Sequence, residues 1–417
     1  MSPFKTTLAA VLTLSALAAT NTYADAIMIR NATVYTMTDD GVLENTDLFV
    51  SGNEIRKIGR NLDVPADIRV FDAGGRPLTP GLWGGAGAVG IVEVSAVEES
   101  SDASDATLEM RPEFDVTPAY NPNSSLVPVA RTEGHTFTLL GAGGGGSIIN
   151  GQGRVVALDG GYSSFHGGRV LFISLGGHAA EKAGGSRAGQ WMQLNQAFAE
   201  SGLKASDDGD GVLTRAGRTA LASSVKNGIV VFGVNRASDI LQTLAFAEHH
   251  GITAVIDGGA EAWMVADELA AAGVPVMLDP LQNLPSSFDA MGSRLDNAAL
   301  LHEAGVTVIV DGAGSHNARK LRQMAGNAAA NGLDHEAAVA AITVNPARVF
   351  GVDDAFGTIE EGKRADLVLW TGDPLEVTTV AERVIVNGKL DSMKSRQTEL
   401  RDRYLVEDPT MPRAYIR

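Results

Sequence analysis

No cysteine occurs among the 417 residues, which removes disulfides, thiolate nucleophiles, zinc-thiolate centres and a lipidated N-terminal cysteine together. Basic residues are also short: 33 Lys and Arg stand against 50 Asp and Glu, for a formal charge of −17. A surface of that sign repels phosphate backbones, so nucleic-acid binding is disfavoured. Long apolar runs are scarce. Beyond the N-terminus no stretch reaches the roughly 18 apolar residues that a bilayer span needs, so the mature chain is expected to have no membrane span. Histidine is sparse and poorly spaced for metal chemistry. His135, His166, His178, His249, His250, His302, His316 and His335 form neither H-x-H nor H-E-x-x-H, the latter being the arrangement that puts two imidazoles on one helix face. His249 and His250 are adjacent near a helix end and so point to different faces.

What is there is a globular composition, 44% hydrophobic and 20% charged, with length enough for one large domain and a smaller one. Residues 1–24 read as a secretory signal. Lys5 supplies the positive start, 6–19 a short apolar run, and Thr22-Tyr23-Ala24 or Ala24-Asp25-Ala26 a small-residue cleavage site. Cleavage after Ala24 removes Lys5 and takes the charge from −17 to −18. The expected location is a bacterial periplasm.

From 27 to 72 short period-two runs alternate with Gly and Asn turns, the pattern of a small β-unit. A matching piece returns at 357–370 and 383–389, again strand-like with an Asn387-Gly388 turn. Two such pieces bracketing the chain imply one sandwich built from both ends. Between them, β-branched runs at 136–140, 170–175, 229–234, 253–256, 274–278 and 306–310 alternate with helical stretches at 186–200, 238–250, 260–272 and 317–331. Buried strands alternating with amphipathic helices indicate a parallel α/β architecture. Barrel closure does not follow from alternation alone.

Three motifs supply it. Thr79-Pro80-Gly81-Leu82 is similar to the T-P-G-L/F segment that opens the barrel of the amidohydrolase superfamily. Ala341-Ile342-Thr343-Val344-Asn345-Pro346-Ala347 is similar to its A-x-T-x-N-P-A helix, and Gly357-Thr358-Ile359-Glu360-Glu361-Gly362-Lys363-Arg364-Ala365-Asp366-Leu367-Val368 to its G-S-I-E-x-G-K-x-A-D-L-V segment. Asn121-Pro122-Asn123-Ser124, then Val127-Pro128-Val129-Ala130-Arg131 and Gly134, resemble the imidazolonepropionase-like branch. The resemblance implies an α/β fold, a (β/α)8-like (TIM) barrel of the metal-dependent hydrolase type plus a small composite β-sandwich. The expected division is a signal at 1–24, an N-terminal sandwich segment at 25–78, the barrel at 79–350, a C-terminal sandwich segment at 351–392 and a tail at 393–417. The implied chemistry is hydrolysis of an amide or cyclic C–N bond at one or two metal ions.

The metal-ligand motifs are missing. Superfamily members continue from T-P-G-L with I-D-x-H-x-H, whereas this chain reads Trp83-Gly84-Gly85-Ala86-Gly87. The V-H-A-H position carries Gly233 and Asn235, the E-H-G position Asp257-Gly258-Gly259, and the G-T-D position Asp311-Gly312-Ala313. Imidazoles and a carboxylate are what hold a divalent cation and bring its water to a pKa of about 7. No conventional metal centre is expected, and no cofactor is assigned; a divalent metal would need a rebuilt site. Asp257, Glu261 and Asp311 would have to converge with Asn235 and His316, an oxygen-rich set suited to magnesium, calcium or manganese. Metal-free general acid and base work by Asp257 and Asp311 is a second reading, with Asn235, Glu261 and His316 contacting substrate. Simple hydrogen bonding of Asp257 and Asp311 to loop amides is a third. At the level of function, an exported amidohydrolase-like hydrolase of a small or peptide-like substrate stands beside an inactive barrel that binds a ligand, self-associates or pairs with an active relative.

Three further motifs have bland explanations. Gly141-Ala142-Gly143-Gly144-Gly145-Gly146 contains G-x-G-x-x-G without a helix after it, and so reads as a loop at the barrel mouth. Asp207-Asp208-Gly209-Asp210-Gly211 lacks the closing Glu of a calcium loop. Ser186, after Gly184-Gly185, reads as an ordinary helix N-cap.

Overall fold

The computed structural model describes residues 26–63, 68–202, 211–312 and 315–405. The expected export signal at 1–24, residues 207–210 of the acidic run and the end of the expected C-terminal tail lie outside the described residues.

The alternating N-terminal runs become strands β1 (Ile27–Tyr35), β2 (Val42–Ser51), β3 (Glu54–Gly59), β4 (Arg69–Asp72) and β5 (Pro77–Pro80). Their inward residues Ile27, Ile29, Val34, Leu48, Val50 and Leu78 are fully buried and form one core with Ile359, Leu367, Leu369 and Ile385. That core explains why both chain ends are needed. After β6 (Leu82–Gly87) come β7 (His135–Leu140), β8 (Ile149–Ala157), β9 (Phe165–Ser174), β10 (Ile229–Val234), β11 (Thr253–Gly258), β12 (Val276–Leu278) and β13 (Val308–Val310). The C-terminal piece adds β14 (Leu367–Trp370), β15 (Ala381–Val386) and β16 (Lys389–Leu390). Strands β1 to β5 and β14 to β16 form one mixed sheet in the order β16-β15-β14-β5-β1-β2-β3, with β4 also paired to β1. Its junction is β14 running antiparallel to β5, Leu367 opposite Pro80 and Leu369 opposite Leu78.

The remaining eight strands form the second sheet, β6 through β13 in sequence order. Pairing is parallel from β6 to β7 and from β9 through β13. The exception is β8, antiparallel to both neighbours. The sheet is a near-closed barrel. Its open seam, between β13 and β6, is stitched by residues 341 and 342: Trp83 N donates to Ile342 O at 2.8 Å and Val310 N to Ala341 O at 3.1 Å. The A-x-T-x-N-P-A segment thus has a mechanical task, closing the barrel.

Helices cover the outside. The expected stretches appear as Arg187–Ser201, Ala237–His250, Ala266–Ala272 and Leu321–Ala330. Arg215–Asn227 and Asn297–Glu303 join them. Ser186 caps the first, its hydroxyl accepting from Gly189 N at 3.1 Å, which is the ordinary N-cap role. Among the described residues no helix is long and apolar enough to cross a membrane.

Gly81 is the pivot between the two sheets, since β5 ends at Pro80 and β6 starts at Leu82. A Cβ there would lie 2.1 Å from Thr136 Oγ1, so only glycine lets the chain pass from one sheet to the other against β7. Beyond it Trp83 stacks on Phe350, with ring centroids 5.5 Å apart, and fills the barrel floor with Phe137 and Phe356.

Candidate functional site

In a parallel barrel the reactive groups sit at the C-terminal ends of the strands. There the structure has a cavity of about 340 Å³. Its wall includes Ala86 and Gly87 at the end of β6, Ala88 after it, Ala103 between β6 and β7, Gly141, Ala142 and Gly143 after β7, Asn150 on β8, and Phe172, Ile173 and Ser174 on β9. Val231 and Gly233 of β10, Asp257 of β11 and Ser315 complete it. The glycine-rich run is part of this rim, and leads into β8 instead of a helix. It is pinned by Gly143 N donating to Ala103 O at 3.0 Å and Gly146 N to Asp105 O at 2.9 Å.

Asp257 is the penultimate residue of β11 and Asp311 directly follows the seam strand β13, and the fold brings them into one electrostatic neighbourhood. Burial raises the Asp257 carboxyl above the ordinary carboxylate range, against one backbone hydrogen bond from Gly258. Asp311, 3% exposed, is also raised, first by burial and then by the charge of Asp257, with Asp279 adding to it. Opposing this, Asp311 Oδ2 accepts from Ala86 N at 2.9 Å and Oδ1 from Gly312 N at 2.8 Å. Hydrogen bonding to loop amides is therefore what Asp311 does in this state, and it braces the barrel seam. Two like charges so placed titrate as a unit.

The other three sequence candidates lie elsewhere, none of them on the cavity wall. Asn235 Oδ1 accepts from Ala260 N at 3.2 Å. Glu261 is buried, with Oε2 accepting from Ala237 N at 3.1 Å and Oε1 from Gly292 N at 3.0 Å. It anchors the start of one helix to the long loop after β12. His316 is exposed, with Nε2 3.2 Å from Asn317 Nδ2. Motif reasoning missed Asn150, Ser174, Ser315 and Asp279. Asn150 Nδ2 donates to Ser174 Oγ at 2.7 Å, and Ser315 Oγ accepts from Ala88 N at 3.2 Å. No local signal marks Asn150, which the sequence shows only as Ile148-Ile149-Asn150 after a glycine run.

The donor set does not fit an imidazole-held divalent metal. Ala86, Gly87 and Ala88 offer no ligand atoms from their side chains, and both oxygens of Asp311 are taken by backbone N–H groups. Among the described residues no group of three or more His, Cys, Asp or Glu is arranged to hold a metal ion. What the site can do is accept hydrogen bonds, through Asp257 and Asn150, and donate through the hydroxyls of Ser174 and Ser315.

The family model described as amidohydrolase family matches residues 214–390. Urease subunit alpha of Yersinia pestis (strain Pestoides F) is 27% identical over 188 residues, covering 43% of this chain and 30% of that protein. The same figures hold for the urease subunit alpha of Yersinia pseudotuberculosis serotype O:1b. The chain spans 30% of the length of these curated relatives. The crystal structure of an amidohydrolase from Thermotoga maritima MSB8 superposes with a TM-score of 0.77 at 25% identity, over 87% of this chain and 99% of that one. A prolidase complexed with N-methylphosphonate-L-proline shares the fold at a TM-score of 0.53 and 15% identity, over 88% of this chain and 99% of that one. With its two-sheet architecture and its seam-closing segment the chain has the fold of the amidohydrolase superfamily, and its residues 214–390 match the amidohydrolase family.

Proposed function

We propose that this protein is an exported amidohydrolase of the imidazolonepropionase-like branch that hydrolyses an amide or cyclic C–N bond without a resident divalent metal. The observation carrying the proposal is Asp257, a carboxyl of raised proton affinity on the wall of the barrel-mouth cavity. Counting I-D-x-H-x-H onward from Thr79-Pro80-Gly81-Leu82 puts the two histidine positions at Ala86 and Ala88, both on that wall. Asp257 then acts alone on the reacting atoms. Its carboxylate takes a proton from water as the water oxygen adds to the carbonyl carbon. The resulting carboxylic acid returns the proton to the nitrogen as the C–N bond breaks, giving a carboxylic acid and an amine. Burial sets the raised proton affinity of Asp257, while Asp311, raised by its own burial and then by the charge of Asp257, keeps the seam in place. Asn235, Glu261 and His316 shape the loops around the substrate.

The test is hydrolysis of a panel of small amides and cyclic ureides by the mature protein, before and after exhaustive chelation. Turnover is expected to survive chelation and to fall by about 10²-fold or more in Asp257→Asn, the usual contribution of a positioned general base. Turnover that follows bound metal, or that is untouched in Asp257→Asn, would falsify the assignment. Recovery in the periplasmic fraction with a new N-terminus near residue 25 tests export.

A second reading is a silent barrel that binds a ligand or pairs with an active, metal-containing relative. It is favoured by the engagement of both Asp311 oxygens with backbone amides. Ligand binding without turnover, or a relative retained in native pull-downs, distinguishes it.

A further inference from the structure

The wall of the cavity is one-sided in charge. Among its described residues Asp257 is the single ionisable side chain, with no Lys, Arg or His. Behind it, Asp311 and Asp279 add to the same negative field. A carboxylate or phosphate ligand would therefore enter against three acids with no cation to receive it. Asn150 points to the same conclusion on separate grounds. It is 7% exposed and lines the cavity. Its Nδ2 is spent on Ser174, while its Oδ1 is an acceptor without a hydrogen-bond partner among the described residues. A buried acceptor left unpaired costs about 1–3 kcal/mol, a deficit that a bound N–H donor removes. Phe172, Ile173 and Val231 supply an apolar flank beside these acceptors.

We infer that the cavity recognises a small, flat compound whose C–N group is cationic and rich in N–H donors, an amidinium or guanidinium, and that it excludes carboxylates and phosphates. Asp257 faces the charge, the Asn150 carbonyl takes an N–H, and the apolar flank takes the rest. The inference rests on the reading that this cavity is the ligand site; hydrolysis of such a group would add water to the amidinium or guanidinium carbon and release ammonium, leaving the amide or urea.

Benzamidinium, benzamide and benzoate have nearly the same shape and carry charges of about +1, 0 and −1 near pH 8, the amidine being protonated and the acid ionised. Calorimetric titration of the mature protein at that pH should rank them in that order. Benzamidinium is expected to bind about tenfold or more tighter than benzamide, as for a desolvated charge pair, and benzoate not at all. Asp257→Asn should bring benzamidinium and benzamide to similar affinity, and Asn150→Ala should weaken both, with melting curves confirming that each variant is folded. Should either variant not fold, the order among the three probes on the wild type still decides the matter. Benzoate binding as tightly as benzamidinium, a preference unchanged in folded Asp257→Asn, or no binding of any probe at millimolar concentration overturns the inference. Turnover is read separately. An amidinium that binds and is not hydrolysed upholds the ligand class and counts against the hydrolase reading alone.

Discussion

Asp257 and Asp311 share one buried neighbourhood, so ionising both is costly and the folded protein holds protons there more firmly than the unfolded chain does. The sign of the consequence follows. Unfolded aspartate titrates near a pKa of about 3.9, and the folded values lie above it. Stabilisation from this pair is therefore complete below the unfolded value and is lost as pH rises through the folded ones. Urea unfolding of the wild type and of Asp257→Asn across pH 4 to 8 measures it. The variant is expected to lose less stability on going up in pH, and so to gain on the wild type at the alkaline end. Parallel stability curves for the two proteins would rule out the coupling. These two acids were legible in the sequence because strand ends of a barrel are where reactive groups sit, and both follow a run of β-branched residues. Asn150 and Ser174 were not legible. Their roles come from a cross-strand contact between β8 and β9, and nothing local in either strand announces it. Glu261 is a carboxylate near the strand ends whose oxygens accept from backbone N–H groups at a helix start and in a loop, contacts that no local pattern announces.

At the level of elements, the β-branched runs at 136–140, 170–175, 229–234, 253–256, 274–278 and 306–310 all reappear as barrel strands, because a strand buried on both faces must be apolar throughout. The strand that escaped was β8. Its sequence, Ile149-Asn150-Gly151-Gln152-Gly153-Arg154, mixes glycine and polar residues and lacks both the alternation and the apolar run that mark a strand. Tertiary packing explains the composition. A Cβ on Gly153 would stand 1.6 Å from Leu140 O, so β8 must carry glycine where it crosses β7. Gly153→Ala is accordingly expected to destabilise by about 3 kcal/mol or more, at the upper end of overpacking costs, because β7 cannot retreat without disturbing its pairing to β6. Soluble yield and the thermal midpoint of the variant measure this. A midpoint within a degree or so of the wild type would show that the hairpin has slack that the packing does not reveal. The same strand carries Asn150, so loosening it should also weaken benzamidinium binding.

The whole molecule is two sheets that cannot be parted without breaking buried polar contacts. Composite construction from both chain ends was legible, since the two β pieces and the motifs beside them are patterned locally. The lock between the sheets was not, because it is made by single side chains reaching across. Within the mixed sheet, Trp370 Nε1 donates to Thr79 Oγ1 at 2.8 Å where β14 meets β5. Arg322, on the barrel helix Leu321–Ala330 and 7% exposed, does more. Its guanidinium donates to Pro374 O at 2.7 Å, Glu376 O at 2.6 Å and Thr379 O at 2.9 Å, and lies 5.1 Å from the centre of the Trp370 ring. It thereby organises the loop between β14 and β15 and holds the composite sheet to the barrel. Hydrogen bonds from a charged group contribute roughly 1.5–3 kcal/mol each, while burying the guanidinium offsets much of the sum. Arg322→Met, which keeps an unbranched apolar stem and removes every donor, should cost a net of about 2–4 kcal/mol by that balance. Its calorimetric signature matters more than its size. The wild type is expected to unfold in a single transition with equal calorimetric and van't Hoff enthalpies, and the variant to broaden or split, because the sheet would then melt ahead of the barrel. One sharp transition in both proteins, at the same midpoint, would mean that the direct passage from β5 through Gly81 into β6 couples sheet and barrel without help from the arginine.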